Sequence, residues 1–222
     1  MMYAWNQRSD TSVVDEPMYA HYLAVTGLDH PVRAEVMASL PVDEDTVVAS
    51  MLNGTWDTPI VFIKNMAHHL EGMEIGVVDR MDNFLLTRDP RDMLPSLRRG
   101  LGRTPTMRDA AYELQIEILE RIIDSGREPI VVDSRSVLDA PEPVLKALCA
   151  ALDIPFDSAM LSWPAGAKTV DGVWGLHWYK RLHRSTGFEP NEPSKGALAD
   201  DLKPLYDECA PMYNRLSSYS IA

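Results

Sequence analysis

The sequence predicts an α/β fold, a parallel β-sheet flanked by helices on both faces. Three observations predict it. Short apolar runs stand near residues 12–15, 59–64, 83–88 and 129–133, each of the length a buried parallel strand needs. Helical stretches alternate with them, as in folds that cover both faces of such a sheet. Each run also ends in charge: Asp15-Glu16, Lys64, Arg88 and Asp133. Ligands of open parallel sheets bind outside the strand carboxyl ends, so charged ends converging there describe a site for an anionic ligand.

Bulk properties narrow the class. The 222 residues suit one domain, and 45% hydrophobic content is ordinary for a globular chain. A net charge of −12 argues against a nucleic-acid partner, which needs clustered Lys and Arg. It leaves room for a nucleotide held in a local basic pocket. The one basic island is Arg88, Arg91, Arg98, Arg99 and Arg103. Cys149 and Cys209 lack metal-ligand spacing and read as buried helix residues, with a reducing cytoplasm as the expected setting. No run approaches the ~20 apolar residues of a membrane span. Met1 to Arg8 lacks the basic and apolar regions of a secretion signal.

Taken in order, residues 1–8 read as a helix already under way, and Ser9-Asp10-Thr11 as a turn into the first strand. Pro17 fits a helix start, and Gly27 stops the helix that follows. Residues 31–40 and 43–52 are two more helices, the second opened by Asp43-Glu44-Asp45, acids that suit a helix N-terminus. After the strand at 59–64, residues 65–70 are a short helix or turn and 72–82 a loop or weak helix. Phe84-Leu85-Leu86 is the next strand, and Pro90 opens a helix where its missing N–H costs little. Gly100 and Gly102 are expected to break the chain. Residues 106–125 carry apolar side chains at helical intervals and predict one long helix closed by Gly126. Beyond the strand at 129–133, residues 134–139 predict a turn and 141–152 a helix. Residues 158–161 predict a helical turn and 163–174 an irregular loop. Residues 176–185 predict a helix, 190–193 a loop, and 197–217 a closing helix interrupted near Pro204 and Pro211.

Asn83 to Ser96 holds a strand, a polar turn with a cation, and a helix, the arrangement that places anions at a sheet edge. On its residues alone it is also an ordinary strand–helix junction with a solvated Arg. The segment resembles the 3′-phosphate-binding segment of the sulfotransferase family. There an Arg at the strand end and a Ser further along the helix hold the 3′-phosphate of the donor PAPS, 3′-phosphoadenosine 5′-phosphosulfate. The matching positions are Arg88 and Ser96.

Further segments resemble the same family. Val131-Val132-Asp133-Ser134 through Phe156-Asp157 is similar to its late strand, helix and Pro-Phe-Asp connector. Asp15-Glu16-Pro17 resembles the Glu-Pro motif of the carbohydrate and tyrosylprotein branches, where the Glu is the catalytic base. Lys168 to Trp174 is weakly similar to the Gly-rich loop that closes over the donor, which implies donor-binding roles for Lys168 and Gly172. From Val13 to Phe188 the chain resembles a bacterial subgroup of sulfotransferase-like proteins. The resemblance implies a P-loop NTPase-like α/β fold, PAPS as co-substrate, no metal, and a small-molecule or carbohydrate acceptor. One departure stands out. The family's 5′-phosphosulfate loop, of the type Pro-Arg-Ser/Asn-x-Ser/Thr-Thr, does not occur in this sequence. The expectation is a single sulfotransferase-like domain over residues 1–222 that lacks its first strand and loop, roughly 15–20 residues. A misassigned start or a true loss of the loop gives the same sequence.

Sulfuryl transfer asks for a deprotonated acceptor oxygen, in-line alignment and neutralised charge on the leaving phosphate. Glu16 is the candidate base; it is also placed as a helix-start carboxylate. Lys64 is a candidate to neutralise leaving-group charge, or a strand-end Lys that snorkels. His68 and His69 are the alternative base, and at most one of them faces the site. His177, Trp178 and Tyr179, beside Trp174, either line an acceptor pocket or pack onto the sheet. Two functional expectations result. The first is a sulfotransferase transferring the sulfuryl group of PAPS to a hydroxyl or amine. The second is a catalytically inactive nucleotide-binding or interaction module on the same fold. A P-loop kinase is disfavoured, since no Gly-x-x-x-x-Gly-Lys-Ser/Thr occurs.

Overall fold

The computed structural model describes residues 1–190 and 197–221. In chain order the elements are α1 (Met2–Trp5), β1 (Thr11–Asp15), α2 (Tyr19–Thr26), α3 (Arg33–Ser39), α4 (Glu44–Asn53) and β2 (Ile60–Lys64). Two 3-10 turns, Ala67–Leu70 and Ile75–Arg80, lead to β3 (Phe84–Thr87), α5 (Pro90–Leu101), α6 (Met107–Ala110) and α7 (Tyr112–Asp124). Then come β4 (Ile130–Asp133), α8 (Ser134–Asp139) and α9 (Pro141–Ala151), followed by a 3-10 turn at Ser158–Leu161. α10 (Gly175–Trp178) follows, then 3-10 turns at Leu182–Arg184 and Asp200–Leu202, and α11 (Lys203–Ser217) closes the chain. The backbone forms two compact units: Met1–Met81 with Asp157–Gly187, and Asp82–Phe156 with the described residues from Phe188 on.

In the first unit β1 and β2 pair in parallel, in a register that sets Thr11 beside Ile60 and Asp15 beside Lys64. α1 packs on both strands. Trp5 of α1 stacks on Phe62 of β2, with ring centroids 4.9 Å apart. Tyr3, Trp5, Tyr22, Leu23 and Trp174 are almost wholly buried, so aromatic rings supply much of this core. Gly27 ends α2 in the left-handed conformation, φ 65°, which glycine reaches without strain. Asp43 caps α4 by accepting the backbone N–H of Thr46 at 3.0 Å.

In the second unit β3 and β4 pair in parallel, with Thr87 beside Asp133. Val131 and Val132 point to opposite faces of β4 and both are fully buried, so both faces of that strand are covered. α8, α9 and α11 pack against β4, and α11 also meets α5 and α7. Asp89 caps α5 by accepting the N–H of Arg91 at 2.7 Å, and Pro90 occupies the first turn. Both cysteines are buried and unbridged.

The α/β class and the four strands stand as expected, with local corrections. Among the described residues the strands form two two-stranded ladders, β1 with β2 and β3 with β4, where one four-stranded sheet was expected. The helix expected over 106–125 is two. Ala111 adopts a left-handed φ of 59°, ending α6 and starting α7. A Thr106–Asp109 capping box fixes the first piece, and the buried Tyr112 hydroxyl donates to the Arg88 carbonyl and fixes the second. Gly100 lies inside α5, and only Gly102 ends it. Residues 134–139 are helical rather than a turn, because the Asp133 carboxylate accepts the N–H groups of Arg135 (2.7 Å) and Ser136 (3.4 Å). Residues 176–185 split into α10 and a 3-10 turn. α11 runs through Pro211, with Pro204 in its first turn. Of the loop expected at 190–193, positions 191–193 lie outside the described residues.

The register makes a testable contrast in β3, where Leu85 is 7% exposed and its neighbour Leu86, on the opposite face, 44%. Leu85→Ala should lower the free energy of unfolding by about 2–5 kcal/mol, as core truncations do. Leu86→Ala should lower it by less than about 1 kcal/mol. Urea unfolding of the two variants measures both.

Candidate active site

The parallel register of β1 and β2 brings Asp15 and Lys64 side by side at the carboxyl edge. Glu16 follows Asp15 with φ 44°, a left-handed torsion that costs a non-glycine residue about 1–2 kcal/mol. Its N–H donates to the Lys64 carbonyl at 2.6 Å, extending the ladder by one bond, and its carbonyl accepts the N–H of Tyr19 at 3.0 Å, leading into α2. The torsion turns the Glu16 carboxylate back onto the Lys64 ammonium, and the two form an ion pair. Lys64 Nζ also lies 3.5 Å from Asp15 Oδ1. Both carboxylates are nearly buried, at 1% and 7% side-chain exposure, while Lys64 keeps 24%. Burial lowers the Lys64 ammonium below the ordinary lysine value, and the Asp15 charge opposes that shift.

Tyr179 completes this cluster. Its hydroxyl lies 2.9 Å from each oxygen of Asp15 and 3.3 Å from Glu16 Oε1. Lys64 Nζ donates to it at 2.9 Å, and the indole N–H of Trp174 donates at 3.2 Å. Burial, then the Asp15 charge, raises the phenol well above its ordinary value, so it stays protonated. Tyr19 is buried beside the cluster and is pushed up to about 12 by that burial.

Of the two histidines, His69 faces the carboxylate: its Nε2 lies 4.0 Å from Glu16 Oε2. The His69 ring stacks on Tyr19 at 4.6 Å, and its Nδ1 is buried without a hydrogen-bond partner. His68 packs its ring against Tyr22 and His69. Burial first, then the neighbouring His68, Lys64 and His30, holds His69 well below the ordinary histidine value, so it is neutral in the folded chain.

The loop from Lys168 to Trp174 is tied into the same unit. Asp171 Oδ2 accepts the Tyr3 hydroxyl (2.7 Å) and the backbone N–H of Lys168 (2.8 Å), and lies 3.0 Å from His183 Nε2. The next residue, Gly172, donates its N–H to Asp15 Oδ2 at 3.1 Å. A Cβ at Gly172 would lie 2.1 Å from the Trp174 ring, so glycine here answers a close approach of the chain to that indole. Lys168 Nζ donates to the Pro164 carbonyl at 2.5 Å and sits 5.5 Å from the Tyr3 ring centroid.

In the second unit, Arg88 follows Thr87 of β3 and lines a concavity with Asp89, Asp92, Ser134, Arg135, Leu138 and Asp139. Arg135 is ion-paired there with Asp92, which raises the guanidinium further above its ordinary value. Tyr213 donates to Asp133 Oδ2 at 2.9 Å, bracing the end of β4. Ser96 is half-buried within α5 and does not contribute to the lining of that concavity. Among the described residues no group of three or more His, Cys, Asp or Glu side chains is placed to hold a metal ion. None of their helices is long and apolar enough to cross a membrane.

Comparison with known proteins places the chain. A family model described as a sulfotransferase domain matches residues 1–220, so the chain belongs to the sulfotransferase family. Two Arabidopsis thaliana proteins are similar to it. Branched-chain-amino-acid aminotransferase-like protein 1 is 33% identical over 220 residues, and protein 2 is 32% identical over 219. These matches cover 99% and 97% of this chain but 39% and 38% of theirs, so the chain spans less than two fifths of either relative. Two solved structures are also similar. The sulfotransferase domain from the curacin biosynthetic pathway has a TM-score of 0.43 at 14% identity, over 87% of this chain and 78% of that one. The sulfotransferase domain from the Synechococcus PCC 7002 olefin synthase has 0.46 at 14%, over 93% and 98%.

The sequence singled out Glu16 and Lys64 as charged strand ends, and the fold brings the two together; it left the choice between His68 and His69 open. It placed Tyr179 in an aromatic cluster without a polar role. The available signal was a hydroxylated ring beside Trp174 in a loop-rich segment, and only the fold shows its partners.

Two predictions follow from this geometry. The unfolded His69 imidazole takes a proton near its ordinary value of about 6.5, and the folded one does not. Its share of stability is therefore complete above about pH 6.5 and is lost as pH falls toward the depressed folded value. His69→Phe, which keeps a ring against Tyr19, should flatten the stability slope between about pH 6.5 and 5 by up to ~1.4 kcal/mol per pH unit. Denaturant titrations at stepped pH measure it. Separately, Gly172→Ala should displace the Trp174 indole, costing about 1–3 kcal/mol and shifting its fluorescence.

Proposed function

We propose that this domain transfers the sulfuryl group of PAPS to a hydroxyl or amine acceptor, a small molecule or a carbohydrate. The observation that carries this reading is the Glu16–Lys64 pair at the carboxyl edge of parallel strands, in a chain of the sulfotransferase family. Glu16 accepts the proton of the attacking group. Lys64, partly exposed, turns its ammonium toward the negative charge that grows on the leaving oxygen. As that charge develops, Lys64 releases Glu16, whose carboxylate then takes the proton. Arg88, lining the concavity of the second unit, is the candidate contact for the donor's 3′-phosphate. A cytoplasmic setting goes with this reading, supported by two buried, unbridged thiols.

The rival reading is a nucleotide-binding module without turnover on the same fold. The names of the two plant relatives describe proteins more than twice as long, and their aminotransferase wording is not carried to this chain.

Ligand-linked unfolding separates these readings. The product nucleotide 3′-phosphoadenosine 5′-phosphate, at 100 times its dissociation constant, should stabilise the chain by about 2.7 kcal/mol. Arg88→Ala should abolish that shift, and an equal shift in the variant would remove Arg88 from the donor site. Glu16→Gln should keep the shift and lose turnover of labelled PAPS by roughly 10²–10⁴-fold. A parent chain that binds the nucleotide yet releases no sulfate would favour the module.

A further inference from the structure

We propose that Tyr179 is a positioning residue of this centre, its hydroxyl linking Asp15 to Lys64 and so setting the aim of the Glu16–Lys64 pair. The proposal rests on the reading of Glu16 and Lys64 given above. It starts from hydrogen-bond capacity. A phenol hydroxyl has one proton to give and two lone pairs to fill. Lys64 Nζ at 2.9 Å and Trp174 Nε1 at 3.2 Å are both donors, so they occupy the lone pairs. The proton must then go to a carboxylate. Asp15 offers both oxygens at 2.9 Å, while the nearer oxygen of Glu16 is 3.3 Å away. Asp15 therefore takes the proton of Tyr179, and its Oδ2 also takes the N–H of Gly172.

The two adjacent carboxylates are thereby given different work. Asp15, at 1% side-chain exposure, is held by neutral donors on two sides and has Lys64 at 3.5 Å. Glu16 is ion-paired with Lys64, with the Tyr179 hydroxyl 3.3 Å and the neutral His69 4.0 Å away. Asp15 thus spends acceptor sites on two neutral donors that fix its orientation, while Glu16 answers chiefly to the mobile Lys64 ammonium. The phenol also fixes one N–H direction of a flexible ammonium, which otherwise rotates freely among its partners. The ring is fixed in turn. Tyr179 is 9% exposed, and its Oη is tied to the buried indole of Trp174. Tyr179 thus reaches across 115 residues of sequence to hold Lys64, and 164 to hold Asp15.

Tyr179→Phe keeps the ring and removes the link, and two measurements read the result. The first is desulfation of PAPS with water as acceptor, which breaks the S–O bond to the phosphate, yields 3′-phosphoadenosine 5′-phosphate, sulfate and two protons, and needs no knowledge of the natural acceptor. Turnover should fall on the order of 100-fold. KM for PAPS should stay within about twofold, and the acid limb of the pH–rate profile should move. A ring that only fills space would leave the profile in place. The second is a double-mutant cycle in urea pairing Tyr179→Phe with Lys64→Met, where a coupling of about tenfold in the unfolding constant is expected. Parent-like turnover and profile in Tyr179→Phe, with Glu16→Gln inactive, overturns the proposal and leaves the functional reading intact. Should Glu16→Gln turn over PAPS like the parent chain, the functional reading fails. The cycle then decides alone: additive effects overturn the link, and coupled effects support it.

Discussion

A carboxylate and an ammonium set opposite each other at the end of a two-stranded parallel ladder govern the first unit. Parallel pairing brings both carboxyl ends to one edge, so the residues that end β1 and β2 meet there by construction. Burial then makes each charge depend on the other, because a buried charge left alone costs about 3–5 kcal/mol. Asp15, Glu16 and Lys64 satisfy one another, and the hydroxyl, indole and backbone groups around them supply what remains. The second unit repeats the geometry with other residues. Thr87 pairs with Asp133, Arg88 follows at the same edge, and the Asp133 carboxylate caps a helix and accepts the Tyr213 hydroxyl.

Electrostatics within the first cluster join its groups. Glu16 rests against Lys64, and Asp15 lies beside the same ammonium. The loop through Asp171 and Gly172 has little freedom to take part: one oxygen of Asp171 gathers Tyr3, His183 and a backbone N–H, and Gly172 is bonded to Asp15. It acts as a fixed wall for the carboxylates.

Much of this was legible in the sequence where local chemistry decides. β3 and β4 follow from short apolar runs, and the start of α5 from Asp89 and Pro90. The pairing of strands was not legible, because buried parallel strands look alike and nothing in Phe84-Leu85-Leu86 names its neighbour. Ala111 carries no warning of its left-handed torsion, which goes with anchoring of its neighbour Tyr112, buried and bonded to the Arg88 carbonyl. Glu16 and Lys64 were readable as charged strand ends. His69 was not separable from His68, since the facing of two adjacent residues in a 3-10 turn is set by what packs on it. Tyr179 has a role only through partners more than a hundred residues away.

The torsion at position 16 has its own consequence for which side chain can stand there. If the backbone alone chose, glycine would be the occupant, and among charged residues aspartate tolerates a left-handed φ better than glutamate. Aspartate is one methylene shorter. A chain that keeps glutamate on this awkward corner has traded conformational ease for reach, and the length of that side chain carries its oxygen back to the neighbouring strand.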